Sequence, residues 1–226
     1  PKVSPSDASL FSGMWKAYYQ AIYRCNVLLQ NMDQVDWGDS VALKTQYTAE
    51  AKFIRAYCYF DMVRLWENVP LIITPTLLNV PQTDPKLTYA QIMSDLRFGA
   101  DSLPSIVYSG TEIGRATKWA AESLLARVYL FYSGYYGTST IGSETAATAL
   151  AAVEDVIANS GQGLVSDFNS LWPAAAIGKN GPYAGLVNKE VVFSIKEAAT
   201  GGNENGNVTG NTWMVMEGMR EQTIYP

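Results

Sequence analysis

The sequence predicts a mainly α fold, an α-hairpin array with a small irregular or β region towards its C-terminal end. Three observations predict it. Within residues 49–71, apolar or small side chains fall at Ala49, Phe53, Ala56, Tyr57, Phe60 and Val63, the spacing of a helix with one buried stripe. The order Ala49, Glu50, Arg55, Tyr57 recurs as Ala121, Glu122, Arg127, Tyr129 at a constant offset of 72 residues, with Leu125 standing for Phe53. The helices before these two also correspond, because Tyr18, Ile22, Asn26, Leu29 and Ile92, Leu96, Ala100, Leu103 share one spacing. Two helix–turn–helix units that bury each other's apolar faces make such an array. The offset is about two tetratricopeptide periods of roughly 34 residues. A long connection inside each copy gives the same figure, so the period leaves the repeat type open.

The elements follow in order. Helix one runs from about Ala8 to Met32, with Ser6 and Asp7 as its cap. Residues 33–40 make a turn holding Gly38 and Trp37, and helix two spans 41–67, stopped by Pro70. Residues 68–86 contain Pro70, Pro75, Pro81 and Pro85, so they form an extended connector that wraps the helices. Helix three runs over 88–102 and stops at Pro104. After a loop at 105–114, helix four begins near Thr117 and ends by Gly134 or Gly137. Helix five covers 144–159, a short helical turn sits at 167–171, and 189–197 reads as a strand. The Gly- and Asn-rich stretch 201–211 is a long polar loop or the turn of a hairpin. The helical scaffold therefore occupies 1–172, and 173–226 begins a less regular region.

Composition removes whole classes of chemistry. The chain has 226 residues, 48% hydrophobic and 16% charged, enough to bury a core without cross-links. It has no His, which excludes a Ser-His-Asp triad, a Cys-His dyad and a His-ligated zinc site. No catalytic residue, metal or cofactor is expected. A net charge of −5 without a basic run argues against a nucleic-acid partner. No run of about 20 apolar residues is present to span a bilayer as a helix. Cys25 and Cys58 fall mid-helix in the two partner helices and read as small buried side chains. A disulfide between them needs a Cβ approach that sequence does not show.

Several residues invite a chemical reading. Glu50 with Arg55, and Glu122 with Arg127, stand five apart, which turns the two side chains to different parts of the helix surface. Their repetition points to a structural role, each binding a neighbouring helix or loop end. Asn26 interrupts an apolar stripe, and a buried Asn needs hydrogen-bond partners; a backbone group at the helix crossing fits. Gly114 and Arg115 ahead of Thr117 read as a capped helix entry, with Arg115 on connector carbonyls. Glycosidic hydrolysis needs two acids about 5–10 Å apart across a cleft, whereas Asp33, Asp36 and Asp39 share a turn and Glu144, Glu154 and Asp155 decorate helix five. The aromatics divide into helical stripes (Phe53, Tyr57, Phe60, Trp119, Tyr129, Phe131) and loop positions (Trp37, Tyr108, Tyr135, Tyr136, Trp172, Tyr183, Trp213). A sugar presents a C–H face that packs on a flat ring while nearby Asn, Asp and Arg satisfy its hydroxyls. Trp172, Tyr183, Trp213 and Asn211 are the candidate ligand-binding residues on that argument.

Five ordered segments resemble one known family. Trp15, Tyr18, Tyr19, Ile22, Cys25, Asn26 and Leu29 resemble the first helix of the SusD/RagB family, outer-membrane nutrient-binding lipoproteins of Bacteroidetes. EAKFIRAYCYF at 50–60 with NVPL at 68–71 resembles the second helix and its exit, and 90–104 the next segment. GRATKWAAESLLARVYLF at 114–131 resembles a Gly-Arg-x-Thr entry and helix, and NKEVVFSIK at 188–196 a mid-chain strand. The resemblance implies a tetratricopeptide-like scaffold that packs on a TonB-dependent (SusC-like) outer-membrane transporter. It further implies capture of an oligosaccharide or other nutrient at the cell surface and delivery to that transporter, without catalysis. Localisation would be the outer membrane, exposed, through a lipid anchor not in this chain. Family members are commonly about twice this length, so the chain reads as an N-terminal-to-middle piece, incomplete at both ends. The alternative is a tetratricopeptide-type protein–protein interaction adaptor, although its second-helix faces look too Phe- and Tyr-rich for an open peptide groove.

Overall fold

The computed structural model describes residues 9–109, 112–171 and 189–195. The chain divides into two compact units, Pro1–Phe193 and Ser194–Pro226, and the five helices of the described residues belong to the first. They are α1 (Ser9–Asn31), α2 (Val41–Trp66), α3 (Pro85–Ser102), α4 (Lys118–Tyr136) and α5 (Ala146–Asn159), with single 3-10 turns at Met32–Gln34 and Phe168–Leu171. Each helix packs chiefly on its neighbours in sequence. That is the arrangement of an α-hairpin array, in which local contacts build one continuous core. No helix among the described residues is long and apolar enough to cross a membrane.

The stripe at Ala49, Phe53, Ala56, Phe60 and Val63 is buried, as its period requires. Burial on α2 extends further, to Arg55, Cys58, Tyr59 and Met62, because α1 and α3 cover it from two sides. In α4 the repeat positions Ala121, Leu125 and Tyr129 are likewise buried. Small residues set the α3–α4 separation: a Cβ at Gly99 would stand 3.1 Å from the Ala121 Cβ. Both cysteines are free and buried, so the disulfide alternative does not occur.

Local chemistry adjusts three boundaries. Helix α3 begins at Pro85 rather than Thr88, because proline suits a first helical position and the Asp84 carboxylate accepts the Lys86 amide at 2.9 Å. Helix α4 starts where expected, with the Thr117 hydroxyl accepting the Ala120 amide at 3.2 Å, and it ends at Gly137 in the left-handed region. Helix α5 starts two residues later than Glu144. Strands β1 (Thr140–Ile141) and β2 (Glu144–Thr145) form a small antiparallel hairpin turning at Gly142, which has φ +58°. Thr145 and Thr148 then exchange side-chain-to-amide bonds of 2.8 and 3.3 Å, a capping box that opens the helix.

The strand expected at 189–197 does not form over its described part. Residues 189–195 hold a turn at Lys189–Glu190 and then irregular backbone. A strand needs a partner ladder, whereas among the described residues this segment makes one such backbone bond, from the Gly163 amide to the Lys189 carbonyl at 2.9 Å. Its apolar character serves packing instead. Phe193 meets the rings of Phe53 and Tyr57 edge-on, at 4.9 and 6.1 Å between centroids.

Candidate functional site

Trp172, Tyr183, Asn211 and Trp213 lie outside the described residues. The described residues hold an open groove of about 630 Å³ between α1 and the connector that follows α2. One wall is a helix ridge. Trp15, Tyr19 and Tyr23 repeat every four residues, and Lys16, Gln20 and Arg24 form the parallel row one position on. Side chains four apart stack along a helix, so an aromatic rail and a polar rail run side by side. The other wall comes from the connector, with Pro70, Ile72, Leu78, Asn79 and Val80.

Hydrogen bonds from the helices hold that second wall. The Tyr19 hydroxyl donates to the Pro70 carbonyl at 2.8 Å, and Asn26 Nδ2 donates to the Ile72 carbonyl at 2.8 Å. The Tyr59 hydroxyl donates to the same carbonyl at 2.9 Å and accepts the Ile72 amide at 2.7 Å. Thr83 closes the loop on itself, its amide bonding the Val69 carbonyl at 3.1 Å and its hydroxyl accepting the Leu71 amide at 3.1 Å. Burial and the neighbouring Tyr59 raise the Tyr19 phenol well above its ordinary pKa, so this donor stays protonated at any physiological pH.

Arg55 fixes Asn26 in turn. Its Nη1 donates to Asn26 Oδ1 at 2.8 Å and to the Ile73 carbonyl at 3.2 Å. Nε and Nη2 grip both oxygens of Asp95 at 2.8 Å each. All three side chains are buried, and a bidentate pair whose third nitrogen is also hydrogen-bonded is the kind of geometry that a buried charge requires. Arg55 is therefore structural. The repeat symmetry breaks at its counterpart, since Arg127 is exposed and forms no ion pair among the described residues.

The remaining candidates resolve into packing. Trp37 Nε1 donates to the Met32 carbonyl at 2.7 Å, and its ring tilts against Tyr47. The Tyr108 hydroxyl accepts from Gln46 at 2.9 Å. Tyr136 sits among Tyr89, Tyr132 and Tyr135 at the end of α4. Arg115 bonds the Glu50 carboxylate at 2.7 and 3.0 Å, and also Glu112, rather than connector carbonyls. Asp33 pairs with Lys44, and Asp36 accepts the Gly38 amide. Glu122 and Asp155 share Lys118 at the α4–α5 contact, inside a helix junction rather than across a cleft. Burial pushes the thiols of Cys25 and Cys58 up to about 11 and about 12, so neither is a nucleophile near neutrality.

The groove escaped the sequence reading. Its aromatic rail was visible as a four-residue repeat, but the rail alone does not reveal a facing wall. The connector reaches α1 across more than 40 positions of sequence, through Asn26 and Tyr19.

Comparisons with known proteins agree with this architecture. A family model, SusD-like_3, described as "Starch-binding associating with outer membrane", matches residues 3–130. A SusD-like protein of Bacteroides ovatus is 31% identical over 179 residues, covering 76% of this chain and 31% of the relative. A solved structure of a laminarin-binding SusD-like protein superposes with a TM-score of 0.67 at 28% identity, over 83% of this chain and 38% of that one. Another, solved with xylogluco-oligosaccharide, gives a TM-score of 0.68 at 30% identity, over 84% and 36%. The chain thus spans about a third of the length of these relatives.

Proposed function

The chain belongs to the SusD/RagB family of Bacteroidetes proteins, and on that premise we propose that it is part of a protein that captures an oligosaccharide at the cell surface and delivers it to a TonB-dependent outer-membrane transporter. The observation that carries the reading is the likeness over 84% of the chain to a structure solved with xylogluco-oligosaccharide. The groove supports it, because aromatic faces beside amide and cationic donors match the two kinds of surface a sugar presents. Binding of this kind needs no covalent step. The helical scaffold, residues 1–172, is the part that would pack on the transporter. Residues 173–226 would begin the ligand-binding region, with Trp172, Tyr183, Asn211 and Trp213 as contacts. A lipid anchor on the full-length protein would hold it at the outer membrane. Burial of Phe53 and Phe60 counts against the peptide-adaptor alternative.

Affinity electrophoresis of the full-length parent protein against a polysaccharide panel tests this. The expected result is retardation by at least one glycan without its hydrolysis, weakened by Trp172→Ala or Trp213→Ala. Cleavage of the glycan, or no retardation by any of them, would sink the reading.

A further inference from the structure

The charge of the α1–connector groove is opposite to that of the chain that carries it. The chain has a net charge of −5, yet among the described residues the groove's charged lining consists of Lys16 and Arg24, with no Asp or Glu. Helix α1 contains no acidic residue over Ser9–Asn31, and the facing connector residues 69–83 contain none either. Half of the described cations are taken. Arg55, Arg64, Arg97, Arg115, Lys44 and Lys118 all sit in salt bridges. Lys16 and Arg24 are exposed and form neither an ion pair nor a hydrogen bond among the described residues. Two unpaired cations in a groove without acids form a focused positive site that draws anions.

The spacing adds a chain-like ligand to that picture. Lys16 and Arg24 are eight positions apart, about 12 Å along the helix axis, more than one sugar ring spans. Between them run Tyr19 and Gln20, and Tyr23 stands 48% exposed beside Arg24. Trp15 closes the far end, held by rings of Tyr19 and Trp66 at 5.0 and 5.1 Å. A neutral sugar would use the aromatic rail and leave both cations unmatched. A lone small anion would use one cation and ignore the rail.

We infer that this groove takes an acidic oligosaccharide, whose carboxylate or sulfate groups pair with Lys16 and Arg24 while its ring faces pack along Trp15 and Tyr23. The inference rests on the carbohydrate-binding reading and narrows it to a charge class. Guanidinium–carboxylate and guanidinium–sulfate pairs are charge-assisted and bidentate, and Asn79 on the opposite wall offers its amide to hydroxyls.

The test uses the full-length parent protein with polygalacturonate, alginate, glucuronoxylan and sulfated laminarin, each beside its carboxyl-reduced or unsulfated counterpart. Isothermal titration is expected to show at least one acidic glycan bound about tenfold more tightly than its uncharged partner, the effect of one good charged hydrogen bond. The preference should shrink with added salt. Lys16→Ala with Arg24→Ala should abolish it. Lys86→Ala with Arg127→Ala, an equal charge change at exposed positions outside the groove lining, should leave it intact. All four substituted side chains are solvent-exposed, and unchanged unfolding midpoints will show that the variants fold. No preference for any acidic glycan, or one that survives the Lys16/Arg24 change, overturns the inference. If neutral glycans then still bind, and equally in both forms, the carbohydrate reading stands and only the acidic assignment falls. Binding of no glycan at all removes both.

Discussion

Glu122 sits on α4 with one carboxylate oxygen buried and unpartnered, while Lys118 lies 3.6 Å from the other. Burial pushes its pKa up to about 7, against an ordinary value of 4.5; the Asp155 charge adds to the rise and Lys118 opposes it. The folded state therefore holds this proton to a higher pH than the unfolded chain, so stability falls as pH rises from about 4.5 to about 7 and levels off above. Asp155 acts in the other direction: its bond from Lys118 lowers its pKa, so its contribution is lost only as pH falls below the ordinary carboxylate range. Thermal unfolding between pH 5 and 8 should show a declining midpoint. Glu122→Gln should flatten that decline and stabilise at pH 8 by on the order of 1 kcal/mol, after allowance for solvent screening. A flat wild-type profile would contradict the assignment. Glu122 also shows what residue spacing leaves out. Glu50 and Glu122 occupy equivalent positions, yet Glu50 meets Arg115 from a loop and Glu122 meets a lysine of its own helix. Spacing fixes where a side chain leaves its helix; the neighbour it meets depends on the next element.

Among the elements, α3 meets α4 at Gly99 and Ala121, where a side chain on Gly99 has little room. An added methyl at Gly99 would press on Ala121 while gaining about 1 kcal/mol of helix propensity, so Gly99→Ala should change stability little. Gly99→Leu forces the helices apart and should cost about 1–3 kcal/mol, read as a lower urea midpoint. A Leu variant as stable as the parent would show that the helices are not locked there. The five helices were legible because long runs of helix-forming residues, some with apolar stripes at helical spacing, are bounded by proline and glycine. The hairpin Thr140–Thr145 was not, since two-residue strands carry no period. The supposed strand at 189–197 misled for a related reason: an apolar run signals burial, and Phe193 achieves that burial against α2 without a ladder. Of the aromatics expected in loops, Trp37 is packed, whereas Tyr135 and Tyr136 belong to α4, the first 65% exposed and the second packed among tyrosines; the exposed Tyr23 came from α1, outside the stripe of Tyr18, Ile22, Asn26 and Leu29.

At the scale of the molecule, contacts run from each helix to the next, so stability should be graded along the array instead of uniform. Hydrogen exchange on the parent protein should find the strongest amide protection in α2 and α3, which are covered on two sides. Protection in α5 should be weaker; its Leu150 and Ile157 are 58% and 73% exposed. Equal protection in α5 and α2 would mean that further chain covers α5 or that the array unfolds as one block. The groove's helical wall is α1, which packs on that firm part through α2, and its other wall borrows firmness from both helices. Every helix side chain that anchors the connector ends on its main chain, at the carbonyls of Pro70, Ile72 and Ile73 and the amide of Ile72. Any residue supplies those groups, proline at 72 excepted. The connector can therefore exchange its outward side chains, Leu77 and Leu78 among them, without changing its path, and one scaffold can evolve toward many ligands by rewriting a single loop.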